Sequence, residues 1–376
     1  MLFKILSTVR SVLFLSVFFW ILLGAGSPAS AISYQVVDLG AYTPNISSHG
    51  MDINNGGTVA GFLSSSGISS SFIYSGGSFK VFGPLSGHSW SQARAVNSSG
   101  QVAGTSGDSS GAKMGYLYSG GVVTPLGTLP GGSSSVAFDI NDAGEIVGYS
   151  SSSLGTRGFI YSGGVMSDLG SLDGGTWVSA KAINNLGQVV GVSEKGGVQS
   201  AFLYEGGVMK AVGTLPGGTS SVALDINDSG QIVGWSDSQA GRMAFFYDGS
   251  VMTGLGILQG GSWSEAYGVN SFGHVVGRSN SSQGWSRAFL YRNGVLYDLN
   301  SLIPQGSGWV LQSAFAINDV GYIVGTGKVN SRQHAFMLTP VSNSPSNVPE
   351  PSAIVLFGSS LMVMALLRCR PLRRRG

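Results

Sequence analysis

Between residues 32 and 340 the apolar positions fall in short runs that alternate with small or polar residues, and no stretch keeps a helical period. Residues 221–261 show the pattern. SVALDIN places Val222, Leu224 and Ile226 on one face of an extended segment. Asn227-Asp228-Ser229-Gly230 then has the composition of a type I turn, with Asn first and Gly fourth. QIVGWS predicts the returning strand, AFFYDG a third and VMTGLG a fourth, before LQGGSW leads onward. In the third run Ala244 and Phe246 alternate with Phe245 and Tyr247, so both faces are apolar and both need cover.

The same unit recurs. Variants of DIN-x-x-G place asparagine at Asn54, Asn97, Asn141, Asn184, Asn227, Asn270 and Asn318, in steps of 43, 44, 43, 43, 43 and 48 residues. A fixed period points to one array with a shared core, although the length alone would suggest two or three domains. Four short strands in about 43 residues is the content of one β-propeller blade. A β-solenoid is the competing architecture, but its coils are usually shorter and its two ends need caps. The ends of the array favour the propeller. The seventh unit stops at Pro340 without a fourth strand, while YQVVDLG at residues 34–40 matches VMSDLG at 165–170 and LYDLN at 296–300. The expectation is an all-β fold: a seven-bladed β-propeller of four-stranded antiparallel blades over residues 32–340, its ring closed by the N-terminal strand.

Composition changes the picture mainly at the ends. The 60 glycines are about twice the usual share, which suits tight turns. Residues 1–31 carry Lys4 and Arg10, an apolar run from residue 12 to 23, and Ala29-Ser30-Ala31, the layout of a secretory signal peptide cut after Ala31. An uncleaved anchor is the alternative, for which the apolar run is short. At the other end, residues 341–352 form a linker containing Val348, Pro349, Glu350 and Pro351; residues 353–367 are apolar, and residues 368–376 carry five arginines that would stay in the cytoplasm. Without these ends 13 basic residues face 17 acidic ones, so the basic balance of the whole chain gives no support to nucleic-acid binding. The single cysteine, Cys369, lies in the tail, leaving the repeat region without a disulfide.

The seven units resemble the HAF repeat of secreted bacterial proteins, spelled out here at His334-Ala335-Phe336 and elsewhere as Ala-Phe. The last thirty residues resemble the PEP-CTERM sorting signal of Gram-negative bacteria: Pro-Glu-Pro, an apolar segment, then a basic tail, in that order. The resemblance implies transient anchoring in the inner membrane, processing by an exosortase-type enzyme, removal of the tail, and delivery to the cell surface or beyond. A simple C-terminal anchor is the alternative.

Candidate chemistry is sparse. Asp-x-Asn-Asp-x-Gly at residues 225–230 has the oxygen donors of a calcium loop, but the leading Asp occurs only at Asp52, Asp139 and Asp225 and no bidentate Glu follows, which favours a structural turn. His49, His88, His274 and His334 hold unrelated repeat positions. The sequence therefore assigns no catalytic residue, metal or cofactor. What does recur is tryptophan. Trp90, Trp177, Trp263 and Trp309 follow a GG or SG element and lead into the first strand of their units, on the face with longer Ser/Gly loops. Arg157, Arg242 and Arg287 end loops on that face. The tryptophans read either as stacking platforms for sugar rings or as wedges between blades. The expectation is a non-catalytic propeller that binds extracellular polysaccharide or serves as a biofilm or matrix component; the alternative is a propeller-fold polysaccharide hydrolase or lyase.

Overall fold

The computed structural model describes residues 32–40, 46–65 and 68–341. They fold as strand after strand, and the helical elements among them are two single-turn 3-10 segments, Leu172–Gly174 and Leu299–Ser301. Among the described residues no helix is long and apolar enough to cross a membrane. Ala31, Pro349, Glu350, Pro351 and the apolar run 353–367 lie outside the described residues.

The unit singled out by its pattern forms one sheet. Ser221–Ile226, Ile232–Ser238, Gly241–Tyr247 and Met252–Gly256 pair antiparallel in chain order. Residues 47–82, 90–125 and 264–298 repeat this arrangement. One eight-stranded sheet consists of two more such units, residues 135–168 and 177–211, joined by a single parallel pair between Thr156 and Trp177. A last sheet takes Trp309–Ile317, Ile323–Val329 and Arg332–Pro340 from the C-terminal end and its outer strand, Tyr34–Asp38, from the N-terminal end. Tyr34 stands opposite Pro340 and Asp38 opposite Phe336.

The recurrent asparagine does two things. Within its own hairpin, Asn227 Oδ1 accepts the Gln231 N–H at 3.0 Å, while the Gly230 N–H closes the turn on the Asn227 carbonyl at 2.9 Å. Gly230 sits at φ 74°, where a side chain would be strained. The other end of the amide crosses to the next sheet: Asn227 Nδ2 donates to the Asn270 carbonyl at 2.9 Å. Every one of the seven asparagines makes this bond, including Asn318, which donates to the Asn54 carbonyl at 3.0 Å. A buried serine adds a second link. Ser221 Oγ accepts the Ala201 N–H from the preceding sheet, and Ser48 Oγ accepts the Ala335 N–H in the same way. Neutral hydrogen bonds of this kind hold the sheets where charged residues are few.

Each first strand also carries a β-bulge three residues before its asparagine, as between Ala223 and Asp225. The bulge brings backbone close to the second strand and explains the invariant glycine of the I-V-G run. A Cβ on Gly234 would lie 2.0 Å from the Val222 carbonyl oxygen, so no larger residue fits. Phe72, Tyr116, Phe159, Phe202, Phe245, Phe289 and Phe336 of the third strands are fully buried between sheets, the two-sided cover that their apolar pattern predicts.

Candidate ligand-binding site

Trp263 and Glu265 open the first strand of the 264–298 sheet, and Arg278 reaches them from its second strand. Arg278 Nε and Nη2 donate to Glu265 Oε2 at 3.0 and 2.8 Å; its guanidinium lies 5.3 Å from the Trp263 ring and 5.5 Å from the Tyr267 ring. From the neighbouring sheet, Arg242 Nη1 donates to Glu265 Oε1 at 3.0 Å while its guanidinium stacks 3.8 Å from Trp235. The Tyr267 hydroxyl donates to Glu265 Oε2 at 2.5 Å. Burial opposes ionisation of Glu265, but the hydrogen bond from Tyr267 and the charge of Arg278 outweigh it and hold its pKa below the usual glutamate value. Glu265 is 8% exposed in its side chain, against 45% for Arg242 and 39% for Arg278, so the carboxylate is the buried hub and the two cations face outward. Trp235 in turn shares an apolar cluster with Val192 and Val222, against which Trp177 packs. The result is an arc across three consecutive sheets: Trp177, Trp235, Arg242, Glu265, Arg278 and Trp263, with a cavity bordered by Arg242, Trp263, Glu265 and Arg278.

The structure distributes the other expected site residues differently. Trp90 lies over Gly107 in its own sheet, so close that a Cβ there would collide with the indole. Trp309 is offset because its strand has an additional bulge between Leu311 and Ser313; it stands edge-on to His334 at 6.4 Å and to Phe336 at 6.2 Å. Arg157 and Arg287 belong to strand pairing. Arg157 Nε lies 3.4 Å from Asp168 Oδ2 and its Nη1 donates to the Gly175 carbonyl; Arg287 Nε donates to Asp298 Oδ2 at 2.6 Å. His334 and Asp38 repeat the pair in the last sheet, at 3.0 Å. The aspartates of the three matching segments, Asp38, Asp168 and Asp298, thus share one role. Of the seven expected residues, Trp177, Trp263 and Arg242 come together in the arc, and Trp90, Trp309, Arg157 and Arg287 do not.

Trp235, Glu265 and Arg278 of the arc, and Tyr267 that donates to Glu265, are the residues that sequence reasoning missed. For Glu265, Tyr267 and Arg278 the signal was departure from the repeat: SEAYGVN against SVALDIN, and VVGRS against IVGWS.

A second cavity lies on the axis of the array. The bulged residue of every first strand lines it: Met51, Arg94, Phe138, Lys181, Leu224, Tyr267 and Phe315. Asp52, Asp139 and Asp225 lie beside them, each with one oxygen accepting the following residue's N–H and the other accepting an N–H of the next sheet, from Val96, Ile183 and Val269. Among the described residues no group of three or more His, Cys, Asp or Glu is placed to hold a metal ion. Burial raises the pKa of Asp52 to about 6 and of Asp225 to about 7; it raises Asp139 well above the ordinary value, helped by the charge of Asp52. A raised acid pKa favours the protonated folded state. The stability it contributes is complete below the unfolded value near pH 4 and is lost as pH rises through the folded values. The urea midpoint should therefore fall between pH 4.5 and 7.5 more steeply in the parent than in an Asp52→Asn, Asp139→Asn, Asp225→Asn variant. Equal slopes would refute this assignment.

The fold and these cavities define a β-propeller, the class in which short four-stranded sheets surround an axial space. Structural comparison agrees. A puromycin-hydrolysing peptidase from Mycobacterium tuberculosis superposes with TM-score 0.56 at 12% identity, over 79% of this chain and 51% of that one. The structure of YCF48 bound to D1 peptide superposes with TM-score 0.50 at 12% identity, over 83% of this chain and 96% of that one. TolB from Acinetobacter baumannii superposes with TM-score 0.44 at 13% identity, over 76% of this chain and 64% of that one. The chain thus spans about half of the peptidase and under two thirds of that TolB. No protein-family model matches the sequence, and no curated protein matches it.

Proposed function

We propose that the protein is a secreted or surface-displayed seven-bladed propeller, closed by its N-terminal strand, that binds extracellular polysaccharide at the Trp-Arg-Glu arc without transforming it. The blade count rests on seven four-stranded units, and the closure on the pairing of Tyr34–Asp38 with Arg332–Pro340. The single observation that carries the binding reading is the cavity where Trp263 adjoins two outward guanidiniums anchored on one buried carboxylate. A half-buried indole offers an apolar face to a sugar ring, and guanidinium N–H groups donate to hydroxyl oxygens in fixed directions. Both Glu265 oxygens are engaged by Arg242, Arg278 and Tyr267, which favours a binder over the hydrolase or lyase alternative.

Replacing Trp263 by Ala should weaken polysaccharide binding about tenfold, equivalent to about 1.4 kcal/mol, while a Trp90→Ala, Trp309→Ala variant binds as the parent does. Affinity electrophoresis against a panel of bacterial exopolysaccharides reads both. Unchanged migration of the Trp263 variant through a retarding polymer would exclude the arc as the site, and shortening of the polymer would establish an enzyme.

Secretion and processing rest on the two terminal segments and their resemblance to a signal peptide and a PEP-CTERM signal. The exported protein is expected to begin at Ile32 and to lack the arginine tail. An intact tail in the mass spectrum of surface protein would count against exosortase-type processing.

A further inference from the structure

Arg94 and Lys181 enter the axial cavity from first strands two sheets apart, with Phe138 on the strand between them. Neither has an acidic side chain within ion-pair distance among the described residues. Arg94 Nη2 donates to Gln92 Oε1 at 3.0 Å, but its Nε is buried with no hydrogen-bond partner. Lys181 Nζ lies 4.1 Å from the centre of the Phe138 ring and makes no hydrogen bond to a described residue. Both are half-buried, and burial lowers both pKa values, Lys181 to about 8 with the charge of Arg94 adding to the effect. Two buried cations that repel each other are costly unless something neutralises them. The aspartates on the same wall do not, because their oxygens face backbone N–H groups.

We propose that Arg94 and Lys181 form an anion subsite that takes the carboxylate of an acidic sugar, so that the polysaccharide bound here is uronate-bearing. This rests on the polysaccharide reading above. The two cavities are neighbours through one hydrogen bond: Tyr267 lines the axial one, and its hydroxyl donates to Glu265, which borders the other. The subsite would take a terminal or branching uronate of a chain that also contacts Trp263. The cavity beside Trp263 carries an excess of positive charge, since Arg242 and Arg278 share the single carboxylate of Glu265. In a repeat region with more acidic than basic residues, that excess is local to the cavity beside Trp263.

The test compares a polyuronate with its carboxyl-reduced form, and sodium glucuronate with glucose, against the parent protein, Lys181→Met, Lys181→Arg and Arg94→Gln. The expected result is polyuronate binding at least tenfold weaker in Lys181→Met and Arg94→Gln and largely kept in Lys181→Arg, with the reduced polymer bound equally by all four. Glucuronate, but not glucose, should raise the melting temperature of the parent and not of Lys181→Met. That variant removes a buried cation repelled by its neighbour, so it should fold at least as well as the parent, and its own melting curve reports this. If the parent binds both polymers equally, or if folded Lys181→Met holds the polyuronate as tightly as the parent, the subsite is overturned while polysaccharide binding stands. If neither polymer binds but glucuronate stabilises the parent alone, the polysaccharide reading falls and the anion subsite stands. If glucuronate stabilises neither protein and no polymer binds, both fall.

Discussion

Protein lacking residues 32–40 should aggregate or fail to fold, instead of folding with a modest loss of stability. The strand Tyr34–Asp38 pairs along its whole length with Arg332–Pro340, and the Tyr34 N–H also donates to the Leu302 carbonyl at 2.8 Å. Tyr34 is 3% exposed and Leu39 1%, and full burial of side chains this size contributes about 1.5–3 kcal/mol each. Deletion would also uncover Phe336 and Leu338, both fully buried, and leave the Arg332–Pro340 strand as an unpaired apolar edge. The sum approaches the 5–15 kcal/mol that stabilises a whole domain. Size-exclusion chromatography and thermal melting of the shortened protein give the answer; a monomer with the parent's melting temperature would show that this strand does not complete the last sheet.

Glu265→Ala is expected to cost about 2–4 kcal/mol of stability and to abolish measurable polysaccharide binding. Removing the hub leaves the Tyr267 hydroxyl without its acceptor and two guanidiniums without their counter-ion. The estimate lies below the range for fully buried ion pairs because Arg242 and Arg278 are substantially exposed. Arg242 and Arg278 would no longer be held beside Trp235 and Trp263, so the loss of binding should exceed that of the tryptophan change alone. Glu265→Gln keeps the shape and one acceptor and should fall between. Urea unfolding followed by tryptophan fluorescence separates the two effects, and an Ala variant with the parent's midpoint and affinity would remove Glu265 from any central role.

The repeat was legible because each unit carries its own turn chemistry: Asn227 to Gly230 announce a hairpin whatever lies around them. The outer strand Tyr34–Asp38 was legible because Asp38 occupies the place of Asp168 and Asp298, and all three pair with a base on the adjacent strand. The arc was only half legible. Trp177 and Trp263 stand at a repeated position, but Trp90 at that same position packs on Gly107, and what separates Trp90 from Trp177 is the residue opposite on the second strand, Gly107 against Glu194. Glu265 could not be recognised as a hub from its own segment, since two of its three partners, Arg242 and Arg278, come from other strands. Trp309 seemed equivalent to the others because it too follows a Ser-Gly element, yet it stands nine residues before its asparagine where they stand seven. The extra bulge between Leu311 and Ser313 takes up one of those two additional residues.

The aspartates give the array a grain coarser than its repeat. Asp52, Asp139 and Asp225 clasp the next sheet at every second seam, while Ala95, Ala182, Gly268 and Ala316 hold the matching place in the other units. In mechanical terms the units are coupled in three doublets, 47–125, 135–211 and 221–298, each with a carboxylate rivet inside it. Seven is odd, so one unit is left over. It is the composite sheet that joins Tyr34–Asp38 to the strands of residues 309–340, and neither of its seams has a rivet. A stress that parts the sheets would start there, beside Tyr34–Asp38, whose pairing partner lies about three hundred residues further along the chain.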